Sequence, residues 1–226
     1  MVNALSEPEI PISESLVRRL LEEQHADLAD LPISLLNNGW DNNIYKLGTE
    51  YTVRLPRRQV AAALVEHEQR WLPELAPRLN IAISSPARVG VPNDDYPWHW
   101  SVVPYFDGDI AARGWIASRT AEAKRLGEFL ALLHTVAPDD APHNPYRGHD
   151  FAENLESIEK RMRQMVPMFP ERGVELHKVK RVRDAALAAA PWSGPKVWLH
   201  GDLHAANILV SGGGISAVID WGDITS

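Results

Sequence analysis

Between residues 197 and 223 the chain alternates short apolar runs with a small set of oxygen-bearing side chains, and few folds accommodate that order. Val197-Trp198-Leu199 reads as a strand entering the polar turn His200-Gly201-Asp202-Leu203-His204-Ala205-Ala206-Asn207. Ile208-Leu209-Val210 leads out as a second strand, Gly212-Gly213-Gly214 reverses the chain, and residues 215–219 return it. A hairpin of that length predicts that Asp220 arrives beside the turn it left. Asp202, Asn207 and Asp220 are therefore expected on strand ends around one small space.

Carboxylate and amide oxygens are hard donors that suit Mg²⁺, which takes few protein ligands and completes its shell with phosphate and water. An Asp, an Asn five residues later and a second Asp beyond a hairpin match the needs of phosphoryl transfer. One carboxylate takes the hydroxyl proton; the amide and the other carboxylate hold metal on the nucleotide. The plainer reading is a polar hairpin with capping residues, and the coincidence of all the groups at workable spacing weighs against it.

His200-Gly201-Asp202-Leu203-His204-Ala205-Ala206-Asn207-Ile208-Leu209, with Ile219-Asp220-Trp221-Gly222-Asp223, resembles the catalytic and metal-binding motifs of the aminoglycoside phosphotransferase family. That family shares its fold with choline kinases and, more distantly, with protein kinases. The resemblance covers residues 33–223. It implies that Asp202 is the catalytic base, that Asn207 and Asp220 bind Mg²⁺, and that His200 supports the loop. It also implies an α+β, bilobal, protein-kinase-like fold: residues 1–106 form a nucleotide-binding lobe built on an antiparallel sheet, and residues 107–226 a mainly helical catalytic lobe. The family continues well past its metal-binding Asp, whereas this sequence stops three residues after Asp223, so the second lobe is expected to lack its last helices.

Composition sets outer bounds. With 226 residues, 45% of them hydrophobic, the chain can bury a substantial core. It has no cysteine, which removes disulfides and thiolate metal sites. A net charge of −7 argues against a nucleic-acid partner and leaves room for a cationic small substrate. No signal-peptide core is visible, and charges interrupt every apolar run before it could span a bilayer, so a cytoplasmic protein without membrane contact is expected.

Residues 13–29 read as an amphipathic helix, with Leu16, Leu20 and Leu21 on one face. Strands are expected at 33–36, 43–47 and 51–55, then at 81–83, 87–89 and 98–103, completing an antiparallel sheet. Residues 37–42, Asn-Asn-Gly-Trp-Asp-Asn, form a turn of types that tolerate unusual backbone angles. In a kinase-like fold this turn lies over the nucleotide phosphates, which makes Asn38 a nucleotide contact; by itself it is only a hairpin turn.

Alternation along 51–55 puts Thr52 and Arg54 on one face of their strand. Kinase-like enzymes carry Lys where Arg54 falls, gripping the nucleotide phosphates, so the resemblance gives Arg54 that task, with Thr52 beside it and Arg57 or Arg58 able to share it. A guanidinium differs from Lys in reach and geometry. A helix at 61–75 places Glu68 within the stripe Leu64, Val65, Trp71, Leu72, Leu75, where a carboxylate is costly unless paired. Arg54 is its natural partner; a Glu reaching solvent at the stripe's edge, and a surface Arg on an edge strand, are the alternatives. Residues 104–108, Pro-Tyr-Phe-Asp-Gly, fall where the resemblance puts the hinge, implying that Pro104 and Phe106 meet the nucleotide base.

Helices are further expected at 120–136, with Leu126, Phe129, Leu130, Leu133 and His134 inward, and at 153–165 and 174–190, where mixed charges read as solvated faces. The resemblance thus implies an ATP- or GTP-dependent, Mg²⁺-requiring transfer to a hydroxyl of a small molecule, aminoglycosides and related antibiotics among the acceptors. Two other functions stay open: a nucleotide-binding pseudokinase, favoured by Arg54, and a metal-dependent hydrolase using His200, Asp202 and His204 with Asp220. Asp223 either recognises a cationic acceptor or caps the following turn.

Overall fold

The computed structural model describes residues 8–144, 147–148, 151–168, 175–190 and 192–226. Its elements in chain order are α1 (Glu14–Gln24), β1 (Ile33–Asn38), β2 (Asn42–Leu47), β3 (Tyr51–Pro56), α2 (Gln59–Leu75), β4 (Ala82–Ile83), β5 (Arg88–Gly90), β6 (Trp100–Pro104), β7 (Asp109–Ile110), α3 (Arg119–Leu133), α4 (Leu155–Met165), α5 (Leu176–Ala188), β8 (Ile208–Ser211) and β9 (Gly214–Val218).

β2 buries every second residue, Asn43, Tyr45 and Leu47, as a strand covered on one face must. It pairs antiparallel with β1 and β3, and β3 continues the antiparallel sheet through β6 to β5. Being central, β3 is buried on both faces from Thr52 onward. Val53 and Leu55 join a core with Val17, Leu20 and Leu21 of α1 and with Trp98, Trp100 and Val102. Thr52 and Arg54 face the other way.

α1 stops at Gln24, short of the expected end at 29. His25 leaves helical geometry at φ −146°, its ring packing edge-on to Trp100 at 5.4 Å, and a 3₁₀ turn at Ala26–Leu28 follows. That tertiary contact overrides the helical pattern. α2 ends at Leu75 and passes into a 3₁₀ turn at Ala76–Arg78 that takes Pro77 in its first turn.

The expected strand at 81–83 does not complete the first sheet. Reduced to β4, it pairs in parallel with β9 in a second sheet of order β4-β9-β8-β7. A second core gathers Ile81, Ile83, Trp71, Leu72 and Leu75 with Phe129, Leu133, Ile208, Ile215, Val218 and Trp221. Among the described residues, 197–199 form isolated bridges, Val197 to Val136 and Leu199 to Thr225, rather than a strand.

α3 begins at an N-cap Ser118 whose hydroxyl accepts from Ala121 N–H, and it ends at Leu133, so His134 falls past the last turn and is exposed rather than inward. α4 and α5 bury no residue, in line with their mixed charge. The expected start of the last helix at 174 lies outside the described residues, as do parts of the loop at 138–150. Among the described residues, no helix is long and apolar enough to cross a membrane.

Candidate active site

Periodicity on two elements brings Arg54 and Glu68 together. β3 turns Arg54 toward α2, and the helical stripe that buries Val65, Trp71 and Leu72 also buries Glu68, which is 2% exposed. Arg54 Nη1 donates to both Glu68 oxygens, at 2.8 and 3.0 Å, and Nη2 lies 3.7 Å from Asp220 Oδ1. Burial raises the pKa of Glu68 and the guanidinium pulls it back; burial opposes charge on Arg54, but Glu68 and Asp220 outweigh it and raise its pKa. Arg54 is thus a fixed cation with one carboxylate behind it and one ahead.

The turn at 200–207 is held by its own backbone. His200 is buried; its Nε2 bonds the Ile219 carbonyl at 3.0 Å and its Nδ1 accepts from Asp202 N–H at 3.3 Å, a pattern available only to the neutral Nε2–H tautomer. Gly201 has φ +84°, and a Cβ there would meet the Asp223 carbonyl oxygen at 2.0 Å, so neither the conformation nor the space admits a side chain. Asn207 donates from Nδ2 to the Asp202 carbonyl at 3.0 Å, and Ile219 N–H reaches Asn207 O at 2.9 Å. Asp220 follows at φ +64°, a left-handed conformation unusual outside Gly that turns its carboxylate out from the strand end toward Arg54.

One cleft collects Thr52, Arg54, Pro104, Phe106, Asn207 and Asp220. Glu68 stands behind Arg54 and does not line it. Asn38 does not line it either: it is exposed at the end of β1, while Asn37, Gly39, Trp40 and Asp41 form that wall. Asp202 also stands outside the lining, its carbonyl accepting from Asn207 Nδ2. Arg57 and Arg58 brace the 37–42 turn, Arg57 Nη1 bonding Gly39 O at 3.0 Å and Arg58 pairing with Asp41 at 3.2 Å, close to the Trp40 ring. Burial raises the Asp41 pKa against the pull of Arg58.

Four participants were not legible. Tyr105 lines the cleft with Lys46 Nζ 4.0 Å over its ring, and Ser84 lines it from the end of β4. Arg147 and Asn144, from a loop without periodicity, reach Asp202 and Asp223: Arg147 Nη2 lies 3.0 Å from Asp202 Oδ1, and Asn144 Nδ2 donates to Asp223 Oδ1 at 2.6 Å.

The donor set fits Mg²⁺. Asn207 has its amide nitrogen committed, which leaves its oxygen for a cation, and Asp220 presents an exposed carboxylate; two hard oxygens match a cation that keeps phosphate and water ligands. The hydrolase arrangement does not assemble. Both ring nitrogens of His200 are bonded to backbone, and His204 Nδ1 accepts from Ala206 N–H at 3.1 Å.

A two-sheet fold with a buried Arg–Glu pair behind a cleft lined by Asn207 and Asp220 has the arrangement of a kinase-like phosphotransferase. Residues 32–226 match the phosphotransferase enzyme family, and the chain belongs to that family, the aminoglycoside phosphotransferase family its motifs resemble. Solved structures share the fold. The GDP complex of wild-type aminoglycoside 2'-phosphotransferase-IIIa superposes with TM-score 0.66 at 18% identity, over 95% of this chain and 74% of that one. The streptomycin-ATP-APH(2")-IIa ternary complex gives 0.60 at 16% identity, over 96% and 72%. Macrolide 2'-phosphotransferase MphH from Brachybacterium faecium gives 0.62 at 22% identity, over 92% and 71%. No curated protein matches the sequence significantly.

Proposed function

We propose that the protein is a kinase that moves the γ-phosphoryl group of ATP or GTP to a hydroxyl of a small molecule. The carrying observation is Arg54, fixed by Glu68 and aimed past it at Asp220 inside the cleft that Asn207 shares. A cation held by two buried hydrogen bonds needs no reorganisation to meet phosphate oxygens, which is the positioning and charge neutralisation phosphoryl transfer asks of a protein.

Thr52, Pro104 and Phe106 line the nucleotide's place, residues 1–106 forming its binding lobe and 107–226 the transfer lobe. The turn at 37–42 covers the phosphates through Gly39 to Asp41 rather than through Asn38. Asn207 and Asp220 would hold Mg²⁺, which supplies charge neutralisation on the phosphates. Asp202 accepts the acceptor's proton as its oxygen bonds phosphorus and the bond to the β-phosphate bridging oxygen breaks, releasing the nucleoside diphosphate. A reaction that consumes nucleoside triphosphate places the enzyme in the cytoplasm. The related structures carry GDP, or ATP with streptomycin, which supports nucleotide use and a small-molecule alcohol as acceptor.

The test is nucleotide consumption by the full chain across a panel of alcohols, with Asp202→Ala and Asp220→Ala alongside. Transfer is expected only in the wild type. Full activity in Asp202→Ala would overturn the assignment, and nucleotide binding without turnover across the panel would favour the pseudokinase.

A further inference from the structure

The acceptor side of the turn carries a cation of its own. Arg147 forks between two carboxylates: Nη2 lies 3.0 Å from Asp202 Oδ1 and 3.2 Å from Asp223 Oδ2, and Nε donates to Asp223 Oδ2 at 3.2 Å. The remaining oxygens are engaged too. Asp223 Oδ1 accepts from Asn144 Nδ2 at 2.6 Å, and Asp202 Oδ2 lies 3.4 Å from His204 Nε2. Asp223 is therefore neither a free anionic subsite nor a simple turn cap; it is the counter-ion that seats Arg147.

Described residues on either side of Arg147 lie against one buried residue, Thr225. Asn144, 6% exposed, donates its backbone N–H to Thr225 Oγ1 at 3.1 Å, and Gly148, at φ +71°, lies so near that an added Cβ would stand 3.2 Å from Thr225 Cγ2. Thr225 has no exposed surface, and its hydroxyl also donates to Pro142 O at 3.2 Å. The guanidinium thus stands beside the residue proposed to receive the acceptor's proton.

We propose that Arg147 sets the acceptor class: the transfer face takes alcohols that carry no ammonium group near the reacting hydroxyl and rejects polycations. This rests on the kinase reading and deepens it. An incoming ammonium would compete with Arg147 for Asp202 and Asp223, and the guanidinium beside them is a like charge close by. A neutral hydroxyl meets no such repulsion, and a guanidinium can donate to its oxygen or to a neighbouring carboxylate.

Kanamycin serves as the polycationic probe, titrated calorimetrically into the full-length wild type, Arg147→Gln and Arg147→Lys at low salt, with Mg-nucleotide titrated in parallel. Arg147→Gln is expected to bind kanamycin at least tenfold more tightly than the wild type, with the gain shrinking as salt rises, because the effect is charge. Arg147→Lys loses the fork but keeps the positive charge on which the repulsion depends, and is expected to stay within about twofold of the wild type. Equal kanamycin affinity in wild type and Arg147→Gln would overturn the proposal. Should Arg147→Gln not fold, the wild type still decides: a Kd for kanamycin below about 10 μM overturns the proposal, and a weaker one supports it. Failure of Mg-nucleotide to bind the wild type would sink the kinase reading separately.

Discussion

Two arginines each hold a pair of carboxylates, and they do so on opposite terms. Arg54 sits between Glu68 and Asp220 on a central strand, backed by a helix, with its side chain 8% exposed. Arg147 sits between Asp202 and Asp223 on a loop, 37% exposed. In the dry site a charge without its partner is costly, so the geometry is enforced by the fold itself. In the wet site water competes for every contact, and the pair contributes little to stability. Nucleotide phosphates are the same for every reaction of this kind and suit the buried arginine; acceptors vary, and in the proposed reading the exposed arginine faces them.

The largest effects are expected at the carboxylates these arginines share with the chemistry. Asp202→Ala and Asp220→Ala should each lower kcat by at least about 10²–10³-fold, the scale of losing one transition-state charge contact. They should differ in the ground state. Asp220→Ala, on the Arg54 side, weakens Mg-nucleotide binding, while Asp202→Ala, on the Arg147 side, leaves it near wild type in calorimetry. Identical nucleotide affinities in the two variants would erase the division between the sites.

Stability separates them next. Glu68→Ala strands Arg54 without its buried partner and should cost about 3–5 kcal/mol in urea unfolding. The double variant Arg54→Met/Glu68→Leu should recover much of that loss while remaining inactive, because an apolar pair of similar volume removes the stranded charge. A double variant no more stable than Glu68→Ala would mean that the pair is held by something other than mutual compensation.

The same contrast explains what the sequence disclosed. Arg54 and Glu68 were legible because strand and helix periods each place one charged residue on a buried face, and two such residues must find each other. Asn207 and Asp220 were legible as a spacing, since a hairpin returns to where it began, whereas Asp202, expected in the same space, stands outside the cleft's lining. Arg147 carried no signal: a loop has no period, and its partners lie 55 and 76 residues away. Asn38 failed for a related reason. The irregularity in β1 between Leu35 and Asn37 shifts the register, so that Asn37 and Gly39 take the cleft wall. β4 was too short for its sequence to say which sheet it joins, and its parallel pairing to β9 depends on a strand more than 130 residues later.

His200 offers an intermediate effect. Burial lowers its pKa, so the folded protein resists a proton that the unfolded chain accepts near the ordinary value of 6.5. The unfolded state then binds more protons, and stability should fall as pH drops below 6.5. His67 and His25 are shifted in the same direction by burial and add to the slope. His200→Phe should leave the Asp202 N–H and the Ile219 carbonyl unpaired, at about 1–3 kcal/mol each, and should flatten the fall between pH 6.5 and 5. An unchanged pH profile of Tm would place the acid sensitivity elsewhere.

Arg147→Gln should give the smallest change in stability, under about 1 kcal/mol, even though it breaks contacts with two carboxylates. Partly exposed ion pairs return most of their Coulomb energy to water once broken, and Asp223 keeps its hydrogen bond from Asn144. Raising salt should remove part of even this difference, since ions screen a pair open to solvent, while the cost of Glu68→Ala should hardly respond. Urea unfolding of the two variants at low and high salt measures both terms together. If Arg147→Gln proved as costly as Glu68→Ala, or as indifferent to salt, Arg147 would be a structural pin of the 142–148 segment, and its place beside Asp202 would owe more to folding than to the choice of acceptor.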